Sequence, residues 1–252
     1  MLRLGTILGV LASAAGDAHA DRKDFTNTYE YATTPEGHVE VELWHTELRD
    51  SWDVHTPQRF EQRIEVELGL TDHWDIAMYT FFREVAAEDP TVAAPLSFHA
   101  VHVESRYRIA ERGELPVDTM LYLELAKEFG ESAYEIESKL ILARDFGPVT
   151  VALNLIDEAT VGNDVPGGEN ELGFALGATY ELTPKLHLGA ETWANHGDDG
   201  TRWSAGPALA FAPSSRWWVA MTGGFGVVTL PGADLGKGLG AFSARIIMGF
   251  EL

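Results

Sequence analysis

Residues 239–252 read Leu-Gly-Ala-Phe-Ser-Ala-Arg-Ile-Ile-Met-Gly-Phe-Glu-Leu. From Phe242 the stretch alternates with period two. Phe242, Ala244, Ile246, Met248, Phe250 and Leu252 fall on one face, and Ser243, Arg245, Ile247, Gly249 and Glu251 on the other. Successive side chains of a strand point to opposite faces, so this strand has an apolar stripe backed by a mixed one. That is the pattern by which outer-membrane β-barrel strands show lipid one face and the lumen the other.

The opposite end of the chain reads as a secretory leader. Met1-Leu2-Arg3 is a short basic start, Leu4 to Ala15 an apolar run, and Ala18-His19-Ala20 an A-x-A cleavage site, so residues 1–20 are expected to be removed and the mature chain to begin at Asp21. The run is shorter than the roughly 20 residues that span a bilayer as a helix, and no later stretch is longer. The candidates left are a secreted soluble domain and a barrel.

The formal net charge of −21 disfavours nucleic acid as a partner, because binding it relies on neutralising phosphates with Lys and Arg. With 0 cysteines there is no disulfide, thiol nucleophile or Cys-ligated metal. A chain of 252 residues suits one all-β domain.

Alternation recurs in about twelve segments, near 38–48, 58–70, 74–84, 97–109, 116–127, 133–145, 148–158, 170–182, 185–195, 202–212, 216–228 and 239–252. They run longer than the roughly 5–6 residues of soluble strands and suit tilted membrane strands. Short turns at 71–73, 145–147, 183–185 and 213–215, with 111–115, alternate with longer links at 49–57, 85–96, 159–169, 196–201 and 229–238; only 128–132 is short where a long one is expected. The short set reads as periplasmic and the long set as extracellular. The fold expected is all-β, an antiparallel up-and-down transmembrane barrel of about twelve strands over residues 38–252. Phe25 to Thr34 could add a strand, but an odd count would separate the termini. Residues 21–37 are therefore read as a periplasmic or lumen-tucked segment.

Strand faces give the candidate lumen wall. Arg59, Glu61, Arg63, Glu65 and Glu67 oppose an apolar stripe on the second segment, as do His102, Glu104, Arg106 and Arg108 on the fourth and Glu40 and Glu42 on the first. Such charges pair across neighbouring strands or line a polar passage. Later segments turn Gly189, Glu191 and Gly206 inward, with Ser204, Ala208, Ala210, Ala220, Thr222, Gly224 and Gly226. Small side chains leave room for a narrow eccentric channel or accept bulk from the other wall. Trp52, Trp74, Trp193, Trp203, Trp217 and Trp218 lie near segment ends, where a girdle of aromatic side chains meets the lipid interface. Trp44 lies mid-segment.

Catalytic signals are weak. His102 and Ser105 have an odd separation, hence opposite faces, and no G-x-S-x-G elbow appears. His102 with Glu104 is a thin metal motif. Acidic clusters at Glu84, Glu88 and Asp89, at Asp157, Glu158 and Asp164, and at Asp198 and Asp199 lack calcium-loop spacing. No catalytic residue, metal ligand or cofactor is assigned.

Tyr29-Glu30-Tyr31, Pro35-Glu36-Gly37, Glu40-x-Glu42 and Phe60 to Leu70 running into Thr71-Asp72-His73-Trp74 resemble a broad group of bacterial outer-membrane barrels. That group includes transporter-like and phenol-degradation-pathway (MetA-type) members. The resemblance covers residues near 29–80 as a motif and the rest as pattern. It implies an outer-membrane barrel passing small solutes, hydrophobic or aromatic ones among them.

The expectation is therefore a porin-like monomer in the outer membrane of a Gram-negative bacterium, acting as a passive channel or transporter-like conduit for small solutes. It would meet outer-membrane lipid, and the barrel-assembly machinery through its C-terminal strand. The alternatives are a plugged structural or surface-interaction barrel, a lipid-modifying outer-membrane hydrolase, and a soluble lipocalin-like barrel with its apolar stripes turned inward.

Overall fold

The computed structural model describes residues 22–49, 58–85, 95–162, 165–198, 200–227 and 241–252. Twelve antiparallel strands follow one another: β1 (Val39–Arg49), β2 (Gln58–Thr71), β3 (Trp74–Val85), β4 (Ser97–Arg108), β5 (Asp118–Glu128), β6 (Tyr134–Phe146), β7 (Val149–Gly162), β8 (Val165–Thr183), β9 (Leu186–Gly197), β10 (Gly200–Ser214), β11 (Trp217–Gly226) and β12 (Phe242–Glu251). Each pairs with its sequence neighbours, and β1 closes on β12 from Glu40 opposite Glu251 to Arg49 opposite Phe242. Closure removes every sheet edge, which is what allows strands to cross lipid.

The stripes face outward. Ile64, Val66 and Leu68 of β2, Leu121, Leu123 and Leu125 of β5, and Ile246 and Phe250 of β12 are all exposed, while Glu65, Glu67, Tyr122 and Ile247 between them are buried. A water-soluble barrel would reverse this; an apolar outer band around a polar interior is the outer-membrane solution. The lipocalin-like alternative ends here.

Links at the two ends differ. At one end β2–β3, β6–β7, β8–β9 and β10–β11 meet through tight turns, such as that at Gly147 with φ of 63°. At the opposite end two links expected to be long are not. β7 continues to Gly162 and β8 begins at Val165, with Glu158 opposite Glu171 and Thr160 opposite Glu169, and β9 reaches Gly197 while β10 begins at Gly200. Backbone pairing carries on past the apolar stripe here, and polar side chains hide that continuation from a hydrophobicity pattern. Residues 1–20, Trp52, Glu88, Asp89, Asp164 and Asp199 lie outside the described residues.

The N-terminal segment runs inside the barrel. It starts near the tight-turn end, where the Arg22 guanidinium donates to the Pro184 carbonyl. It rises to mid-height at Thr26 to Tyr29 and returns to the same end, where the Thr33 hydroxyl donates to the Asp72 carbonyl. Gly37, at φ of 77°, turns it into β1. Gly69 lets it pass, since a Cβ there would lie 1.9 Å from the Pro35 carbonyl oxygen.

Candidate functional site

The inner faces of the strands carry the sequence-predicted wall. Glu40 and Glu42, then Arg59, Glu61, Arg63, Glu65 and Glu67, and His102, Glu104, Arg106 and Arg108 share the inner parity of their strands, with Glu40, Glu42, Arg63, Glu65, Glu67, Glu104 and Arg106 buried. Within this wall the segment is held by side chains that substitute for a neighbouring strand. The Glu191 carboxylate accepts the backbone N–H groups of Thr26, Asn27 and Thr28, each at 2.9 Å. Asn154 pairs with the Tyr29 peptide in both directions, accepting its N–H at 2.6 Å and donating to its carbonyl at 2.8 Å. Hydrogen bonds to a charged acceptor contribute about 1.5–3 kcal/mol each, so Glu191 is the strongest single anchor.

Nearer the tight turns, Arg106 grips Asp75 at 3.0 and 2.8 Å and also reaches Glu67. Asp75 and Glu67 in turn accept the Thr34 N–H and hydroxyl, at 2.8 and 2.9 Å. Arg108 donates to the Thr33 hydroxyl at 2.8 Å. Phe25 and Tyr31 pack with Met120, Tyr122, Ile141, Ala143, Ala152 and Ala208. A void of about 30 Å³ is left between Lys23, Phe25, Trp44 and Arg106.

Among the described residues, small side chains of the Gly/Ala wall are met by bulk. A Cβ on Gly177 would meet the Phe25 ring at 2.5 Å, and one on Gly224 the Trp193 ring at 2.3 Å. Gly206 and Gly189 serve close strand contact instead: a Cβ would lie 1.6 Å from the Gly223 carbonyl oxygen and 2.1 Å from that of Ala178, respectively. The small residues accept bulk from the segment and from Trp193.

Among the described residues, the other half of the lumen holds a cavity of about 1060 Å³ floored by Thr26, Asn27 and Tyr29. Its charges are sorted. Arg245 on β12, with Arg59 and Arg63 on β2, line one arc. Glu124, Glu137, Glu158 and Glu171 on β5 to β8 line the other, with Lys139 among them and Arg202 of β10 paired to Glu171 at its edge. The Arg63 guanidinium stacks 4.0 Å from the Trp44 ring centre and 3.4 Å from that of Tyr79. Lys139 lies 4.2 and 4.0 Å over Tyr29 and Tyr122. Arg245 also donates to the Thr26 carbonyl at 3.0 Å, tying the floor to the basic arc.

Two tryptophans depart from the expected girdle. Trp218 is fully buried and donates to Glu40 at 2.8 Å, because adjacent residues of a strand cannot both face lipid; Trp217 takes the outer position and stacks on Phe250. Trp193 shares the inner face with Glu191 and lines the vestibule. Trp74 and Trp203 are outward, donating to Ser105 at 2.8 Å and Thr192 at 2.7 Å. His102 faces inward and contacts Glu124 at 2.5 Å, away from Ser105. The sequence reading missed Asp75, Glu124, Glu137, Lys139, Asn154 and Glu171, and placed Glu158 in a loop cluster where the structure has it on β7. Each is a polar residue on the inner parity of its strand, which is the signal that could have found them.

No protein-family model matches the chain, and no curated protein matches it. Solved structures do. An outer-membrane channel from Pseudomonas putida F1 is similar at a TM-score of 0.60 and 11% identity, covering 90% of this chain and 100% of that one. The NanC porin gives 0.56 and 14%, covering 84% and 100%. The KdgM porin in complex with disordered oligogalacturonate gives 0.56 and 10%, covering 84% and 98%. At these identities the likeness is one of fold: the chain folds as outer-membrane porins and channels do.

Proposed function

We propose that the protein is an outer-membrane channel for small solutes with an apolar or aromatic body and separated charges. In this reading they enter the vestibule from outside, and Arg22 to Gly37 gates their way to the periplasm. The observation that carries the reading is the vestibule with its sorted charges. Opposite charges on facing walls create a field across the passage, strongest where low-dielectric walls focus it. A dipolar solute aligns with that field, while a solute of one sign is repelled by one arc. Trp44, Tyr29 and Trp193 offer the body apolar surface. The resemblance of residues 29–80 to the phenol-degradation-pathway barrels supports aromatic solutes. The protein acts as a monomer inserted through β12 by the assembly machinery. A plugged structural barrel is the second reading, favoured by the number of hydrogen bonds that hold the segment.

Swelling of proteoliposomes tests this. Zwitterionic phenylalanine should enter several-fold faster than benzoate or glucose. Replacing Glu158 and Glu171 by Arg should abolish that preference and speed benzoate. Absence of swelling with every solute would favour the plugged reading; equal rates for all three would refute the charge selection.

A further inference from the structure

Glu42 lies opposite Glu65 on paired strands, and Glu40 opposite Glu67. Like charges directly opposite destabilise a sheet, so this arrangement calls for a cation. One carboxylate oxygen from each of Glu42, Glu65 and Glu67 lies within 4.8 Å of the others, and all three side chains are buried. Lys23 puts its ammonium among them, 2.6 Å from Glu42 and 3.1 Å from Glu67. That single charge does not balance the cluster. Six acids, Glu40, Glu42, Glu65, Glu67, Asp75 and Glu104, face Lys23, Arg63 and Arg106. Glu65 is fully buried; its Oε2 meets the Arg63 guanidinium, and its Oε1 has no hydrogen-bond partner. Its ion pair is with Arg63, already stacked between two rings. Buried carboxylates short of partners carry a large desolvation penalty.

We propose that Glu42, Glu65 and Glu67 form a divalent-cation site of the Ca²⁺ class, and that the cation and the Lys23 ammonium compete for it. With Lys23 displaced, each carboxylate keeps one oxygen not taken by Trp44, Arg63 or Arg106; these give three hard donors, and water completes the about 6–8 that Ca²⁺ takes. A doubly charged ion offsets more of the acidic excess than an ammonium does. Lys23 belongs to the N-terminal segment, so a cation that takes its place favours release of the segment. That coupling rests on the gating reading; the binding itself does not.

The probe is Tb³⁺ as a stand-in for Ca²⁺, on the refolded mature chain in micelles. The Trp44 indole donates to Glu42 at 2.7 Å, close enough to sensitise a bound lanthanide. Trp-excited Tb³⁺ emission that Ca²⁺ displaces is expected, tightening at least tenfold in Lys23→Ala and weakening at least tenfold when Glu65→Gln is added. Glu42→Gln serves where Glu65→Gln does not refold. Emission that ignores both carboxylate substitutions, or no emission from a folded barrel, overturns the site. Because the chain has 0 native cysteines, Ala32→Cys reports the segment: Ca²⁺ should speed its labelling by a bulky maleimide with Lys23 in place, and not with Glu65→Gln. Binding without faster labelling refutes the competition and leaves gating to be judged by conductance.

Discussion

In the tight-turn half of the lumen Arg106 pairs with Asp75 and Glu67 with their side chains almost wholly buried, 4% for Arg106 and 0% for Asp75. At the opposite rim Arg202 pairs with Glu171 at a comparable 2.9 Å, with 52% and 28% of their side chains exposed. The chemistry is the same and the surroundings are not. Where the N-terminal segment excludes water, each charge depends on its partner, and losing one strands the other. At the rim water solvates both ions whether or not they meet. One half of the barrel is thus built as a packed core and the other as a wet cup.

The sharpest way to break this contrast is Arg106→Leu, which leaves Asp75 and Glu67 buried without their cation and should cost about 3–5 kcal/mol. A fall in the denaturant midpoint of the refolded barrel would register it, and an unchanged midpoint would erase the distinction between the halves. Glu191→Ala comes next. It removes the acceptor of three backbone N–H groups and should weaken the hold on the segment by about 3 kcal/mol, roughly a hundredfold in the released fraction. Limited proteolysis at residues 22–37 should accelerate while the strands stay protected. Gly69→Ala sharpens the account of the exit path. Its Cβ would press on the Pro35 carbonyl oxygen, and overpacking of this kind costs about 1–3 kcal/mol, read by the same proteolysis. The smallest effect is expected from Arg202→Ala at the rim, at most about 1 kcal/mol with no change in proteolysis. A large loss there would mean that the cup is more tightly built than its exposure indicates.

Most of the barrel was legible because alternation of period two is a property of each strand alone. Leu121, Leu123 and Leu125 declare the outer face of β5 whatever surrounds them. Pairing beyond the lipid band is not declared in this way, so β7 and β8 outran their apolar residues. Trp218 could have been placed inside by counting from Trp217. The course of the N-terminal segment had no such signal. Phe25 to Thr34 contacts β2, β3, β4, β7 and β9 through residues far away in sequence, including Glu191 and Asn154, and no local period records that. The wall charges were readable one strand at a time, but their sorting into two arcs depends on closure of the barrel, which brings β12 beside β1.

The central claim is that the N-terminal segment, and not the barrel wall, closes the lumen. Single-channel conductance in a planar bilayer, comparing the mature chain with a variant lacking residues 22–34, tests it directly. The account predicts small, infrequent openings for the mature chain and discrete steps several-fold larger for the variant, since water then fills the space left by the segment and solvates Glu191, Glu42 and Glu67. Equal conductance from the two proteins, or a folded variant that passes no current, would contradict it.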